Sequence, residues 1–140
     1  MANEPWSSDP PNPGHIRSSL PQRRIAELVD YVRKARSLRL RFLDPQLFGE
    51  PAWDMLLDLY RAEIAQQRIA IGSVCIASGV PMTTALRWLR AMEGKGLVQR
   101  RPSPNDLRRT YVELTPEAIA AMDALFVAIA AQFRDRHRFP

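Results

Sequence analysis

The sequence predicts a mainly α fold with a small antiparallel β-sheet, and three observations lead to it. A short segment IGSVCIASG runs into VPMTTALRWLRAMEGKGLV, so two helices meet at a turn that holds Gly79 and Pro81. After them, two strand-prone runs, Leu97–Gln99 and Thr110–Leu114, flank a loop rich in proline and arginine. Helical periodicity then recurs on either side, from Pro21 to Arg41, from Pro51 to Ile64 and from Pro116 onward. The order is helix, turn, helix, strand, loop, strand: a winged helix-turn-helix with flanking helices expected to dimerise.

In the second helix of the motif, expected over about 82–94, Ala85, Trp88, Leu89 and Met92 fall at i, i+3, i+4 and i+7 and predict one buried stripe. Thr83, Arg87 and Arg90 then face the other way. Hydroxyls and guanidiniums above an apolar base can reach base edges and phosphates in a major groove. Gly79 can take the positive φ that ends the first helix, Ala77 lets the two helices approach, and Pro81 suits the first position of the next. Gly94 and Gly96 bracket Lys95 and stop the second helix.

Leu97, Val98 and Gln99 open a strand leading into Arg100 and Arg101, and Pro102 and Pro104 end it because proline cannot donate to a ladder. Asn105 and Asp106 favour a turn, and Thr110, Tyr111, Val112 and Leu114 return as the second strand. Arg108 and Arg109 sit in the loop between. A cationic hairpin tip over about 100–110, beside such a helix, is placed to enter a minor groove.

These residues carry a resemblance. Asp106-Leu107-Arg108, five residues, then Leu114-Thr115 is similar to the D-x-R wing signature of the MarR-like winged-helix regulators, and GVPMTTALRWLRAMEGKGLV resembles their recognition helix at matching spacing. The resemblance covers residues from about 50 to 135. It implies that Arg108 is the wing arginine at the minor groove, that Asp106 orients it, and that Thr83, Thr84 and Arg87 read bases and phosphates. It also implies that a small-molecule effector of unknown identity could enter between the dimerisation helices and the DNA-binding lobe. Pro81 stands where that family often has a small polar cap, and Trp88 is bulky for its place.

The 140 residues fit one domain. Twenty basic against fifteen acidic residues give a net charge of +5, an excess that suggests double-stranded DNA as partner. No run reaches the ~18 apolar residues of a spanning helix, and no charged-then-apolar leader opens the chain, so a cytoplasmic protein without membrane attachment is expected. One cysteine makes no internal disulfide, and Cys75 is expected as a small buried apolar residue. Two histidines without clustered carboxylates give no metal or cofactor site, and no nucleophile–base pair suggests an enzyme.

Residues 1–20, with Pro5, Pro10, Pro11 and Pro13, are expected to form a flexible arm, and 21–140 the DNA-binding domain with its flanking helices. Ile25, Leu28, Val29 and Val32 make the apolar stripe of the first helix. Its arginines, Arg23, Arg24, Arg33, Arg36, Arg39 and Arg41, leave two readings open, a solvated face or a supplementary phosphate contact. The next helix repeats Trp53, Leu56, Leu57, Tyr60 and Ile64, and its acids Glu50, Asp54, Asp58 and Glu63 read as a solvated face. Arg68–Ile71 is short and β-branched enough to add a third strand. Thr115 should cap the last helix, with Pro116 at its first position. Ile119, Met122, Phe126, Ile129 and Phe133 form one stripe while Ala118, Ala121, Leu125 and Ala128 keep the other faces small and apolar, which favours packing on a second copy of the chain. The function these features point to is a homodimeric, sequence-specific duplex-DNA-binding transcriptional regulator. The alternative is a winged-helix protein-interaction module without DNA binding.

Overall fold

The periodicities above close into five helices and three strands over the residues that the computed structural model describes, 22–43 and 50–137. In chain order these are α1 (Gln22–Phe42), α2 (Pro51–Ile64), β1 (Ile69–Ala70), α3 (Ile71–Ala77), α4 (Met82–Gly94), β2 (Val98–Pro102), β3 (Thr110–Leu114) and α5 (Pro116–His137). The arm expected over residues 1–20, the Asp44-Pro45 stop and the Leu47–Gly49 elbow lie outside the described residues, as does the Phe133 side chain. The fold class is the expected one: mostly helical, with a three-stranded antiparallel sheet in the order β1-β3-β2.

Strands β2 and β3 pair from Val98↔Leu114 to Pro102↔Thr110, and this register turns Val98, Val112 and Leu114 into the core. The third strand is shorter than its sequence suggests. Only Ile69 and Ala70 pair, opposite Val112 and Tyr111, because Ile71 already begins α3.

Helix α2 runs through the centre. Met55, Leu57, Leu59 and Tyr60 are fully or almost fully buried, and the helix touches α1, α3, α4 and β3. Its partner at the far end of the sequence is α5: the Tyr60 ring stacks on Phe126 with centroids 5.5 Å apart, and the Tyr60 hydroxyl donates to Asp123 Oδ1 at 2.5 Å. Asp123 is completely buried. A carboxylate withdrawn from water needs such donors, since the unpaired charge would be costly.

The charged faces of α1 and α2 correct the sequence reading of both helices. Arg36 Nε donates to Asp54 at 2.7 Å and Arg36 Nη1 to Glu50 at 3.1 Å, Arg33 Nη2 lies 3.3 Å from Asp58, and Arg61 Nε reaches Asp30 at 3.0 Å. Positions climbing along α1 thus meet positions descending along α2, an antiparallel ladder of ion pairs. The acids of α2 are therefore not a freely solvated face, and Arg33 and Arg36 are engaged by carboxylates of their own chain, Arg36 largely out of solvent and Arg33 still partly exposed. Burial alone would lower the Arg36 pKa, but the hydrogen bonds to Asp54 and Glu50 outweigh it and raise it. Burial wins at Asp58, whose pKa is raised against the pull of Arg33.

Thr115 caps α5 as its sequence predicts: its Oγ1 accepts from the Ala118 N–H at 3.1 Å while its hydroxyl donates to the Gly96 carbonyl at 2.7 Å. One residue thereby ties the start of α5 to the end of α4.

Removing the Tyr60 hydroxyl tests the clasp between α2 and α5. Tyr60→Phe leaves the buried Asp123 carboxylate short of a donor and should cost about 1–3 kcal/mol in urea unfolding, against about 3–5 kcal/mol for Phe126→Ala. Unchanged stability in Tyr60→Phe would show that the hydrogen bond contributes nothing net.

Candidate nucleic-acid interface

The candidate interface starts at the turn between α3 and α4. Ser78 donates its hydroxyl to the Cys75 carbonyl and accepts from the Val80 N–H, and Gly79 has φ +75, the left-handed conformation that ends α3. Pro81 stands one residue earlier than expected: it is the N-cap of α4, and its carbonyl takes the Ala85 N–H at 2.9 Å. At the other end, Leu97 N–H reaches back to Met92 O and Gly96 N–H to Glu93 O, with Gly96 at φ +74. This is a Schellman stop, and it needs the glycine at 96 rather than at 94, which lies inside the helix.

Between these stops, Ala85, Leu89 and Met92 are buried and fix the rotation of α4. Thr83, Arg87 and Arg90 consequently stand exposed on the far side, and Thr84 is half-buried at its edge. Trp88 corrects the sequence reading. Its side chain is 42% exposed and not part of the buried stripe. The buried face centres on Ala85, Leu89 and Met92, and a residue one step before Leu89 lies about 100° around the helix from it, on the flank. Leu86 and Leu97, near Trp88 in the chain, do pack against the core from partly buried positions.

The wing divides its arginines into two sets. Arg100 Nε donates to Glu93 at 2.9 Å, which fastens β2 to the last turn of α4, and Arg101 Nε donates to Glu113 at 2.6 Å across the hairpin. Gln99 donates to the same Glu113 oxygen. Glu93 and Glu113 are the partners that sequence reasoning missed. The signal for Glu113 was present, since hairpin register puts it opposite Gln99 and beside Arg101. By contrast, the side chains of Arg87, Arg90 and Arg109 make no ion pair or hydrogen bond among the described residues, and all three residues are exposed. Arg108 is the most exposed of the paired arginines: its Nε lies 3.4 Å from Asp106 Oδ1, which also accepts the Arg108 backbone N–H at 3.0 Å. Lys95, exposed at the end of α4, adds a further cation that the sequence reading did not single out.

Residues 50–110 match the family model described as the MarR family. Over that stretch the chain resembles a MarR-like winged helix. Solved structures with the same fold include an S. aureus MepR–DNA complex (22% identity, TM-score 0.52, covering 78% of this chain and 82% of that one). An S. aureus MepR variant bound to an oligodeoxyribonucleotide matches at 19% identity and TM-score 0.53, covering 84% and 80%. S. aureus MepR in its DNA-binding conformation matches at 19% and 0.51, covering 84% and 82%. At such identities these likenesses establish the fold. No curated protein matches the chain in sequence.

Elsewhere in the MarR-like lobe, Cys75 is buried on α3, and burial pushes its thiol pKa up while Arg100 pulls the other way. A thiol held in that state is a packing residue and a poor nucleophile. A cleft of about 330 Å³ opens between α1, α2 and β1, lined by Asp30, Arg33, Asp58 and Arg61, whose charges pair with one another.

The phase of α4 is open to direct test by stability. Leu89→Ala should cost about 2–5 kcal/mol, because it empties a fully buried site. Trp88→Ala should cost less than Leu89→Ala despite the larger side chain removed. Thermal or urea unfolding that ranks the two the other way would place the indole in the core.

Proposed function

We propose that this MarR-like protein is a DNA-binding transcriptional regulator that reads duplex DNA as a homodimer, with α4 in the major groove and the β2–β3 wing at the minor groove. The observation that carries this reading is the solvent face of α4, where Thr83, Arg87 and Arg90 stand together without internal partners above a buried base. An α-helix fits a major groove, and arginine pairs with the guanine edge. The likeness in fold to MepR, solved in complex with DNA, supports DNA as the partner. In this reading Thr83, Thr84, Arg87 and Arg90 meet bases and phosphates. Asp106 holds Arg108 for the minor groove, and Arg109 meets the backbone.

Arg100 and Arg101 take a different part from the one their charge suggested. Each is bound to a glutamate within the lobe: Arg100 fastens the wing to α4 and Arg101 ties the two strands of the hairpin together, and both contribute to the positive field rather than to direct contact. The unpartnered arginines also weigh against a winged helix used only for protein contact.

The flanking helices support the dimer. On α5, Ala121, Ala124, Leu125 and Ala128 recur at i, i+3, i+4 and i+7 and are exposed, opposite the face that packs Met122 and Phe126. On α1, Tyr31, Ala35, Leu38 and Phe42 form a second exposed stripe, with Phe42 80% exposed. Alanines let helices of two chains approach closely, and burying these stripes removes large apolar groups from water. Phe126, which the sequence pattern offered as an interface residue, is buried within its own chain and takes no part in that contact. A two-fold axis between such helices would set the two α4 helices about 34 Å apart, one turn of DNA.

Selecting bound duplexes from a random pool tests the reading: recovery of a palindromic site is expected, and recovery of none would overturn it. On that site Arg87→Ala should cost about 1–3 kcal/mol and relax preference at one base pair of each half-site. Equal affinity of wild type and Arg87→Ala for site and scrambled DNA would remove Arg87 from the interface. For assembly, light scattering at micromolar concentration should report twice the chain mass. Leu125→Glu, on the exposed face of α5, should yield folded monomers. A wild type that is monomeric yet binds the palindrome tightly would refute the dimer.

A further inference from the structure

The tip of the wing is a β-turn from Asp106 to Arg109, closed by the Arg109 N–H to the Asp106 carbonyl at 2.9 Å, with Leu107 and Arg108 at its two corners. Around it, Ser103 N–H donates to the Arg109 carbonyl, Ser103 Oγ accepts from the N–H groups of Asn105 and Asp106, and Asp106 Oδ1 accepts from Arg108. None of these bonds uses the side chain of Leu107. The first corner of such a turn tolerates most residues, so the turn does not require leucine there. Leu107 is nevertheless 88% exposed, more than any other large apolar side chain among the described residues.

The hydrogen bonds hold the tip in one conformation and thereby hold an isobutyl group in water beside the guanidinium of Arg108, itself 93% exposed. A minor groove offers surfaces for both. Its floor carries acceptors and negative potential, and its walls are the C–H faces of the deoxyriboses; apolar side chains are often inserted there.

We propose that Leu107 is a second DNA contact of the wing, an apolar one that packs on a deoxyribose wall of the minor groove next to Arg108. The inference rests on the DNA-binding reading above. Leu107 contributes by removing apolar surface from water and releases no counterion, whereas Arg108 acts through charge. Their contributions to binding therefore differ in salt dependence.

The experiment titrates full-length wild type, Leu107→Ala, Leu107→Ile and Arg108→Ala against the duplex selected from the random pool, labelled with fluorescein, at several salt concentrations. Leu107→Ala should bind about five- to tenfold more weakly at every salt concentration with an unchanged log–log slope, and Leu107→Ile should recover most of the loss. Arg108→Ala should make the slope shallower by up to about one unit. Thermal unfolding of all three variants should match wild type, since the tip supports little core. Leu107→Ala binding as tightly as wild type would overturn the inference while leaving the DNA-binding reading intact. So would a slope change equal to that of Arg108→Ala, because the leucine would then only position the arginine. A wild type that binds no duplex would overturn both.

Discussion

Everything proposed for this molecule depends on the rotation of α4 about its own axis. Burial of Ala85, Leu89 and Met92 sets that rotation, and a helix turned by one residue would exchange Arg87 for Trp88 on the solvent face. Both ends of the helix are fixed as well, by Pro81 at the N-cap and by the Schellman stop at Gly96. The wing inherits its position from the same helix: Arg100 reaches back to Glu93, and Thr115 holds the Gly96 carbonyl at the point where the hairpin's second strand runs into α5. Helix, wing and the first turn of α5 are thus one mechanical unit, with its cations turned outward.

That unit is seated on α2, and α2 is held from two sides by different physics. Toward α5 the contact is buried, with a stacked pair of rings and a hydrogen bond to an enclosed carboxylate. Toward α1 it is a ladder of ion pairs at the surface, where each pair contributes little alone but the alternation fixes the register of two helices. This leaves α1 and α5 with one face committed to the chain and another, apolar and exposed, free to meet a second copy. A lobe carried on such helices would move relative to its twin whenever the dimer contact shifted. Control of the spacing between two α4 helices would follow from that geometry.

Much of this was legible in the sequence because the relevant rules are local. The bounds of α4, the two strands of the hairpin, the Thr115 cap and the Gly79 and Gly96 stops each depend on residues within a few positions of one another. What could not be read was the pairing of elements distant in the chain. Single-helix periodicity marked Arg33 and Asp58 as outward-facing without showing that they face each other, and it marked Phe126 as apolar without saying whether Tyr60 or another chain would cover it. Trp88 failed for a related reason: helical spacing put it in the stripe with Ala85, Leu89 and Met92, but it lies at the edge of that stripe, and spacing alone does not show where the buried face ends. Arg100 and Arg101 looked equivalent to Arg108 and Arg109 by charge, and only the glutamates opposite them separate the two sets.

Chemical footprinting on the selected duplex bears most directly on the central claim, because it reports each groove separately. Methylation protection of guanine N7 is expected in two major-groove half-sites whose centres lie about 10 base pairs apart, with hydroxyl-radical protection of the minor groove just outside each. Protection confined to the minor groove, or major-groove protection that persists when Thr83, Arg87 and Arg90 are all replaced by alanine, would contradict the claim.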